Sequence, residues 1–216
     1  EKTDNESFPW LSHKSIKLCG EDTRVLKVSY AGEKGFEIHV HNNSMKKIYD
    51  ELVQHGENFN LIHFGMLALD SMRLEKNYRS WKSDLTSDYT MLQSGLEKWI
   101  KFDKGNFIGK EALKNEFDLG TSKKFVTLVV DDPEDNKPFG EPVYLSPVFA
   151  GDDYLGPIVS SGYGHRVKKS ISMAILDDRN LNGLNDQLYI DVLGRKRKAY
   201  IVNEALYDPE NLKLRS

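Results

Sequence analysis

Apolar and polar residues alternate from Phe36 to Val40, which predicts a strand with Phe36, Ile38 and Val40 on one face and Glu37, His39 and His41 on the other. Val25, Leu26 and Val28 favour a second strand from about Thr23 to Tyr30, and Ala31-Gly32-Glu33-Lys34-Gly35 supplies turn residues between the two, so the pair reads as a β-hairpin. The period then changes. Met45, Ile48, Tyr49, Leu52 and Val53 recur at helical spacing, with Ser44 placed to cap the helix and His55-Gly56 to end it. This helix is expected to pack on the hairpin. A further helix is expected from about His63 to Lys76, with Leu67, Ser71 and Leu74 on one side and Leu69 and Arg73 displaced around it. Residues 84–106 carry a mixed pattern with a strand expected at Trp99 to Phe102, and Gly109 leads into a short helix around Glu111 to Asn115.

Beyond Asn115 the pattern becomes one of short β-rich runs separated by Gly, Asp, Asn and Pro: Phe125 to Val130, Glu141 to Leu145, Ile158 to Ser161, Ile171 to Ile175, Gln187 to Val192 and Lys198 to Val202. Near-regular short strands of this kind predict a small antiparallel barrel or sandwich. The fold class expected is α+β, a ferredoxin-like α/β sandwich unit over residues 1–117 followed by a small antiparallel β-barrel domain over 118–216, with the boundary at about 115–122. No internal repeat or low-complexity tract interrupts either part.

Composition narrows the class of protein. With 216 residues, of which 39% are hydrophobic, the chain can cover a real core. A formal net charge of −3 provides no overall attraction for nucleic acid or anionic lipid, so neither is an expected partner. Cys19 is the only cysteine, which excludes an intrachain disulfide and favours a reducing compartment. No apolar run approaches the roughly 18 residues of a membrane-spanning helix. The polar start at Glu1 runs straight into FPWLSHKSI, and the chain is expected to be a fragment of a longer protein.

Few residues stand out as candidates for chemistry. Glu37 is mounted on a strand after a Gly-rich turn, where its carboxylate can be aimed to accept two hydrogens in a bidentate arrangement; the plainer reading is a solvated strand residue. Arg73 presents several donors in one plane, yet Asp70 three residues earlier gives it an ordinary helix ion pair. Tyr30, Tyr78, Trp81 and Trp99 offer flat faces for a conjugated ring, although aromatics more often serve the core. Other signals are set aside. Glu37, His39 and His41 share a strand face at period two, but half-buried strands commonly alternate in this way, and no metal is expected. Gly162-Tyr163-Gly164 lacks the third glycine of a dinucleotide loop, and Gly105 to Lys110 is one residue short of a phosphate loop. Arg195-Lys196-Arg197-Lys198 beside Gly194 reads as a solvated hairpin. No nucleophilic Ser-His-Asp or Cys setting is evident.

Two blocks carry a resemblance. YAGEKGFEIHV at 30–40 and the run from Gly65 to Leu113, which includes SMRLE at 71–75, resemble the folate-binding region of the glycine-cleavage T-protein (aminomethyltransferase) family. PWLSHKSI at 9–16 and NYRSWKSDLT at 77–86 resemble the T-protein-like half of dimethylglycine and sarcosine dehydrogenases, and SSGYGHRVKKSISMAIL at 160–176 looks like the Gly-rich hairpin of the C-terminal barrel domain. The resemblance covers nearly the whole chain. It implies a tetrahydrofolate-dependent one-carbon transfer module that captures the unit released on demethylation of an N-methyl amino acid such as dimethylglycine or sarcosine. The alternatives are a non-catalytic folate-binding scaffold and a demethylase acting on a sulfur compound. On residues that match the family pattern, it implies cofactor binding by Tyr30, Glu37 and Arg73; Trp81 and Trp99 are further cofactor-binding candidates on their flat aromatic faces alone. The catalytic aspartate of the family belongs to a segment upstream of these blocks, so the catalytic residues are left unassigned. FAD is implied only for a flavin-bearing domain or subunit absent from this chain. The compartment implied is the bacterial cytoplasm or the mitochondrial matrix.

Overall fold

Three antiparallel strands open the chain: β1 (His13–Leu18), β2 (Glu21–Leu26) and β3 (Glu37–Val40), in the order β1-β2-β3. The computed structural model describes residues 3–131, 140–178, 181 and 188–216. The chain falls into two compact units, Glu1–Lys76 with Asp208–Ser216, and Asn77–Tyr207. The family of short strands expected after Asn115 lies wholly in the latter, together with residues 77–122.

In the first unit the expected pairing forms between β2 and β3, with Thr23 opposite Val40 and Leu26 opposite Glu37. The connection is longer than expected, running from Lys27 to Phe36, because β2 ends at Leu26. A tight hairpin instead joins β1 to β2 through Cys19-Gly20, both at positive φ, as a two-residue turn matched to strand twist requires. The expected alternation on β3 does not divide inside from outside, since Glu37, Ile38 and His39 are all exposed.

Helix α1 (Asn42–Gly56) begins two residues before the expected cap: His41 is the N-cap, and its Nδ1 accepts a hydrogen bond from the Asn43 amide at 3.4 Å. Ser44 serves a different contact, donating to Glu21 Oε2 at 2.7 Å, while Lys47 Nζ reaches Glu21 Oε1 at 2.8 Å. These bonds tie α1 to the start of β2. Hydrogen bonding to Lys47 and Ser44 and the Lys47 charge hold the Glu21 carboxyl below its ordinary pKa. Helix α2 (Met66–Glu75) starts later than expected, after an irregular stretch at 61–65. Its first turn is exposed and its last is buried, with Arg73, Leu74 and Glu75 all inside.

The second unit is built on a closed six-stranded antiparallel barrel in the order β4-β7-β6-β5-β8-β9. Its strands are β4 (Lys123–Val130), β5 (Pro147–Ala150), β6 (Asp153–Gly164), β7 (Lys169–Asp177), β8 (Leu188–Val192) and β9 (Arg195–Val202), and β4 pairs with β9 to close it. Leu128, Val148, Ile158, Leu176 and Ile190 fill the interior. Each such side chain contributes roughly 1.5–3 kcal/mol of burial. Burial on both faces of β4 explains its unbroken apolar run: Val126, Leu128 and Val130 join the barrel core, while Phe125 and Thr127 on the other face meet Arg79 and Asn77. Helix α3 (Lys110–Leu119) precedes the barrel at the expected place.

Three expected features differ. Trp99 to Phe102 is not a strand, because a 3₁₀ turn at Glu97–Trp99 takes the backbone bonds, with Ile100 N donating to Glu97 O at 3.0 Å. Glu141 to Leu145 is a turn, with Leu145 at φ 68° and the Val143 amide donating to Ser146 Oγ at 3.0 Å, so the strand begins only at Pro147. The basic run of β9 is not wholly solvated: Arg197 is buried and donates to Asp131 O at 2.8 Å and Gly140 O at 3.2 Å. Gln187 lies outside the described residues. Among the described residues no helix is long and apolar enough to cross a membrane.

Candidate functional site

The connection from β2 to β3 is anchored at both ends of its turn. Phe36 packs against Phe8 with ring centroids 5.6 Å apart. Gly32 has φ 77°, and a Cβ there would lie 2.1 Å from Lys76 Cγ, so the turn rests directly on the Lys76 stem. Only glycine meets both the left-handed conformation and the close approach. The turn that carries Tyr30 and Glu37 is thereby seated on the residue that caps α2, three positions after Arg73.

Lys76 is buried, and its ammonium is satisfied by the tail of the same unit: Nζ donates to Asp208 O at 2.6 Å and Asn211 Oδ1 at 2.8 Å, and lies 3.2 Å from Asp208 Oδ2. Burial pushes the Asp208 carboxyl up, but bonds from the Lys213 amide, from Lys76 and from the Leu214 amide outweigh it and hold the group below its ordinary value. A second buried lysine works similarly at the start of the unit, where Lys27 Nζ donates to Thr3 O at 3.2 Å and Asn5 Oδ1 at 2.5 Å.

Arg73 is 2% exposed and donates from Nε to Asp70 Oδ1 at 2.7 Å. This is the helix pair that the spacing predicts, made by a guanidinium removed from water rather than a surface one. Glu37, at the first position of β3, keeps 55% of its side chain exposed, and Oε2 lies 3.4 Å from His39 Nε2. Tyr30 is half-buried in the turn.

Trp81 and Trp99 belong to the second unit. Trp81, 75% exposed, bridges to Leu85 at the base of a tight turn fixed from within by Asp84, whose side chain accepts from the Ser80 amide at 2.7 Å and from the hydroxyl of Ser160 on β6. Trp99 is 65% exposed, with Lys98 Nζ 5.3 Å from its ring centre. Neither lines the cleft of about 850 Å³ in this unit, which Arg79, Lys98, Lys124, Glu97 and Asp178 border. The Arg79 guanidinium lies 4.2 Å from the Phe125 ring centre and donates to Gly95 O at 3.1 Å; burial lowers its pKa. Arg79, Gly32, Lys76 and Asp208 were not among the residues singled out by sequence. Gly32 had a readable signal in its Gly-rich turn, whereas Lys76 meets a partner 132 residues away that no local pattern marks.

A model of the GCVT N-terminal domain matches residues 1–104, and one of the glycine cleavage T-protein C-terminal barrel domain matches residues 123–208. Human mitochondrial dimethylglycine dehydrogenase is 29% identical over 211 residues, covering 95% of this chain and 23% of its own length. An aminomethyltransferase of Thermoanaerobacter sp. (strain X514) is 30% identical over 193 residues, covering 89% of this chain and 50% of its own. The crystal structure of glycine cleavage system aminomethyltransferase T from Bartonella henselae superposes with a TM-score of 0.77 at 18% identity, over 93% of this chain and 53% of that one, which shows the shared fold. The chain thus spans about half the length of the aminomethyltransferases and about a quarter of the dehydrogenase it matches. Two domain models that together run through both units place it: the chain belongs to the glycine-cleavage T-protein family.

Proposed function

We propose that this chain is a tetrahydrofolate-binding module that supports transfer of a one-carbon unit from an N-methyl amino acid, dimethylglycine or sarcosine, with Tyr30, Glu37 and Arg73 as its folate residues. The single observation that supports the reading most is the seating of Gly32 on Lys76, which joins the turn bearing Tyr30 and Glu37 to the helix end bearing Arg73. Names among the relatives point the same way, since they include aminomethyltransferases, dimethylglycine dehydrogenase and sarcosine dehydrogenase.

The donor set fits a pterin. Its amine and adjacent ring N–H form a guanidine-like edge, and the solvent-facing Glu37 carboxylate can accept both hydrogens. Arg73 is held by Asp70 and by the buried end of α2, so its fork of donors is fixed in direction and suits a carbonyl or carboxylate of the ligand. Tyr30 provides an aromatic wall. Bound folate supplies the nitrogen that takes the one-carbon unit. The work of these residues is to hold and orient it, the contribution for which a rigid strand and a buried helix end are suited. FAD chemistry in this reading belongs to a flavin-bearing partner and is assigned to no residue here. The compartment proposed is the bacterial cytoplasm or the mitochondrial matrix.

Equilibrium dialysis against tetrahydrofolate tests the binding step: one folate per chain is expected, and no retention of folate overturns the reading. Product analysis with an N-methyl amino acid and a flavin partner then separates the chemistries, with methylene-folate expected and methyl-folate pointing to a sulfur substrate instead.

A further inference from the structure

The seam that closes the barrel is shorter than the strands that make it. Strand β4 pairs with β7 from Lys123 to Val130 but with β9 only from Thr127 to Val130, so β9 leaves the edge of β4 at residues 123–126. The segment ahead of the barrel covers part of that edge, with the Phe125 amide donating to Gln93 O at 2.8 Å. The cleft of about 850 Å³ lies where the two strands part, bordered by Val126 and Thr127 of β4 and by Ile201 and Val202 of β9. Leu92 and Phe125 are buried in its lining, while Phe117 of α3 keeps 58% of its surface open. The lining is tied together, because Thr90 Oγ1 donates to Glu116 Oε1 on α3 at 2.9 Å.

Cations outnumber carboxylates here. Arg79, Lys98 and Lys124 meet only Glu97 and Asp178, and Asp178 already accepts from the Thr121 hydroxyl at 3.4 Å. Among the described residues neither Lys98 nor Lys124 forms an ion pair. The Arg79 guanidinium lies against the Phe125 ring and is tied to Gly95 O, so its direction is set. Burial weighs on it more than the charges of Glu97 and Asp84 give back, an imbalance that an incoming anion reduces. Asn77 is aligned too: its Oδ1 accepts from the Thr127 hydroxyl at 2.6 Å, which leaves its amine as the donor end.

We propose that this cleft binds a small aromatic anion, a carboxylate or phosphate carried on a flat apolar ring, with the head at Arg79 and the two lysines and the ring against Phe117 and Leu92. A guanidinium of fixed direction suits either head, since both present oxygens to its fork. Apolar lining with a few convergent polar groups is the composition of small-molecule sites. None of Tyr30, Glu37 and Arg73 borders the cleft, so this ligand is additional to folate and does not rest on the folate reading.

The test follows the amide chemical shifts of the 216-residue chain as benzoate, phenyl phosphate or uncharged benzyl alcohol is added. Saturable shifts are expected at Gly95, Thr121, Thr127 and Asn203 with at least one of the two anions, the tighter identifying the head group, and none with the alcohol. Lys98→Gln combined with Lys124→Gln changes two exposed side chains and should weaken binding roughly threefold or more in a folded protein. Arg79→Gln should weaken it roughly tenfold or more, and if that variant unfolds the lysine pair decides. Glu37→Ala should bind the anion like the parent, which keeps the outcome separate from that of the folate site. The proposal is overturned by absence of saturable shifts at those four amides, by equal shifts with benzyl alcohol, or by undiminished binding in the double lysine variant.

Discussion

Lys76 and Asp208 form an ion pair with Nζ 3.2 Å from Oδ2, and the lysine side chain is almost wholly shielded from water. The pair returns the last residues of the chain to the first unit, even though the intervening segment builds the barrel. Removing one partner strands the other: Asp208→Ala should leave a buried ammonium short of an acceptor and lower the melting temperature of the first unit. Lys76→Met together with Asp208→Ala should recover part of that loss in a double-mutant cycle, and strict additivity would show that the pair is not coupled.

The same carboxylate gives a pH dependence of defined sign. The folded-state pKa of Asp208 lies below its ordinary value, and that of Glu21 does likewise. Their contribution to stability is therefore fully present above the unfolded carboxylate range, about pH 4, and is lost as the pH falls through the lower folded values. Chemical denaturation between pH 3 and 6 should show the decline, and Asp208→Asn should make it shallower; an unchanged profile in that variant would remove Asp208 as a source.

Gly32 should tolerate no side chain. Its left-handed φ costs a residue with Cβ about 1–2 kcal/mol, and the Lys76 stem stands where that Cβ would be. Gly32→Val is expected to lower the thermal midpoint by more than the backbone cost alone and to weaken folate binding, because the turn can no longer rest on the end of α2. Retention of wild-type folate affinity by a folded Gly32→Val protein would separate the turn from the site.

How much of this was readable in advance depended on what kind of contact each residue makes. The barrel strands were legible because β4 and β7 are buried on both faces, which writes a near-continuous apolar run from Phe125 to Val130 and small or apolar residues from Ser170 to Leu176 into the sequence. The Asp70–Arg73 pair was legible because it is local. Periodicity marked Leu67 as part of an apolar stripe and placed it with the packed Leu74, yet one is exposed and the other buried, since a stripe does not say what covers it. The 3₁₀ turn at Glu97–Trp99 and the turn before Pro147 were missed because backbone bonds and a positive φ at Leu145 overrode side-chain propensity. Of the candidate site, the residue types were visible and the seat was not: Lys76 acts through a glycine 44 positions earlier and an aspartate 132 positions later.

The Trp81 loop should depend on Asp84. This carboxylate has no exposure and accepts from the Ser80 amide and the Ser160 hydroxyl. Asp84→Ala leaves those donors unsatisfied at a cost of about 1–3 kcal/mol. The tryptophan loop should then become protease-sensitive under conditions in which the parent is resistant, while equal cleavage rates would show that Asp84 does not hold it.

Glu37 gives the most direct test of the folate site, because its side chain is largely exposed and its loss should leave the fold intact. In calorimetric titration with tetrahydrofolate, Glu37→Ala is predicted to weaken binding roughly tenfold or more, in keeping with loss of about 1.5–3 kcal/mol of charged hydrogen bonding, at an unchanged melting temperature. Equal affinity of parent and variant would contradict the account.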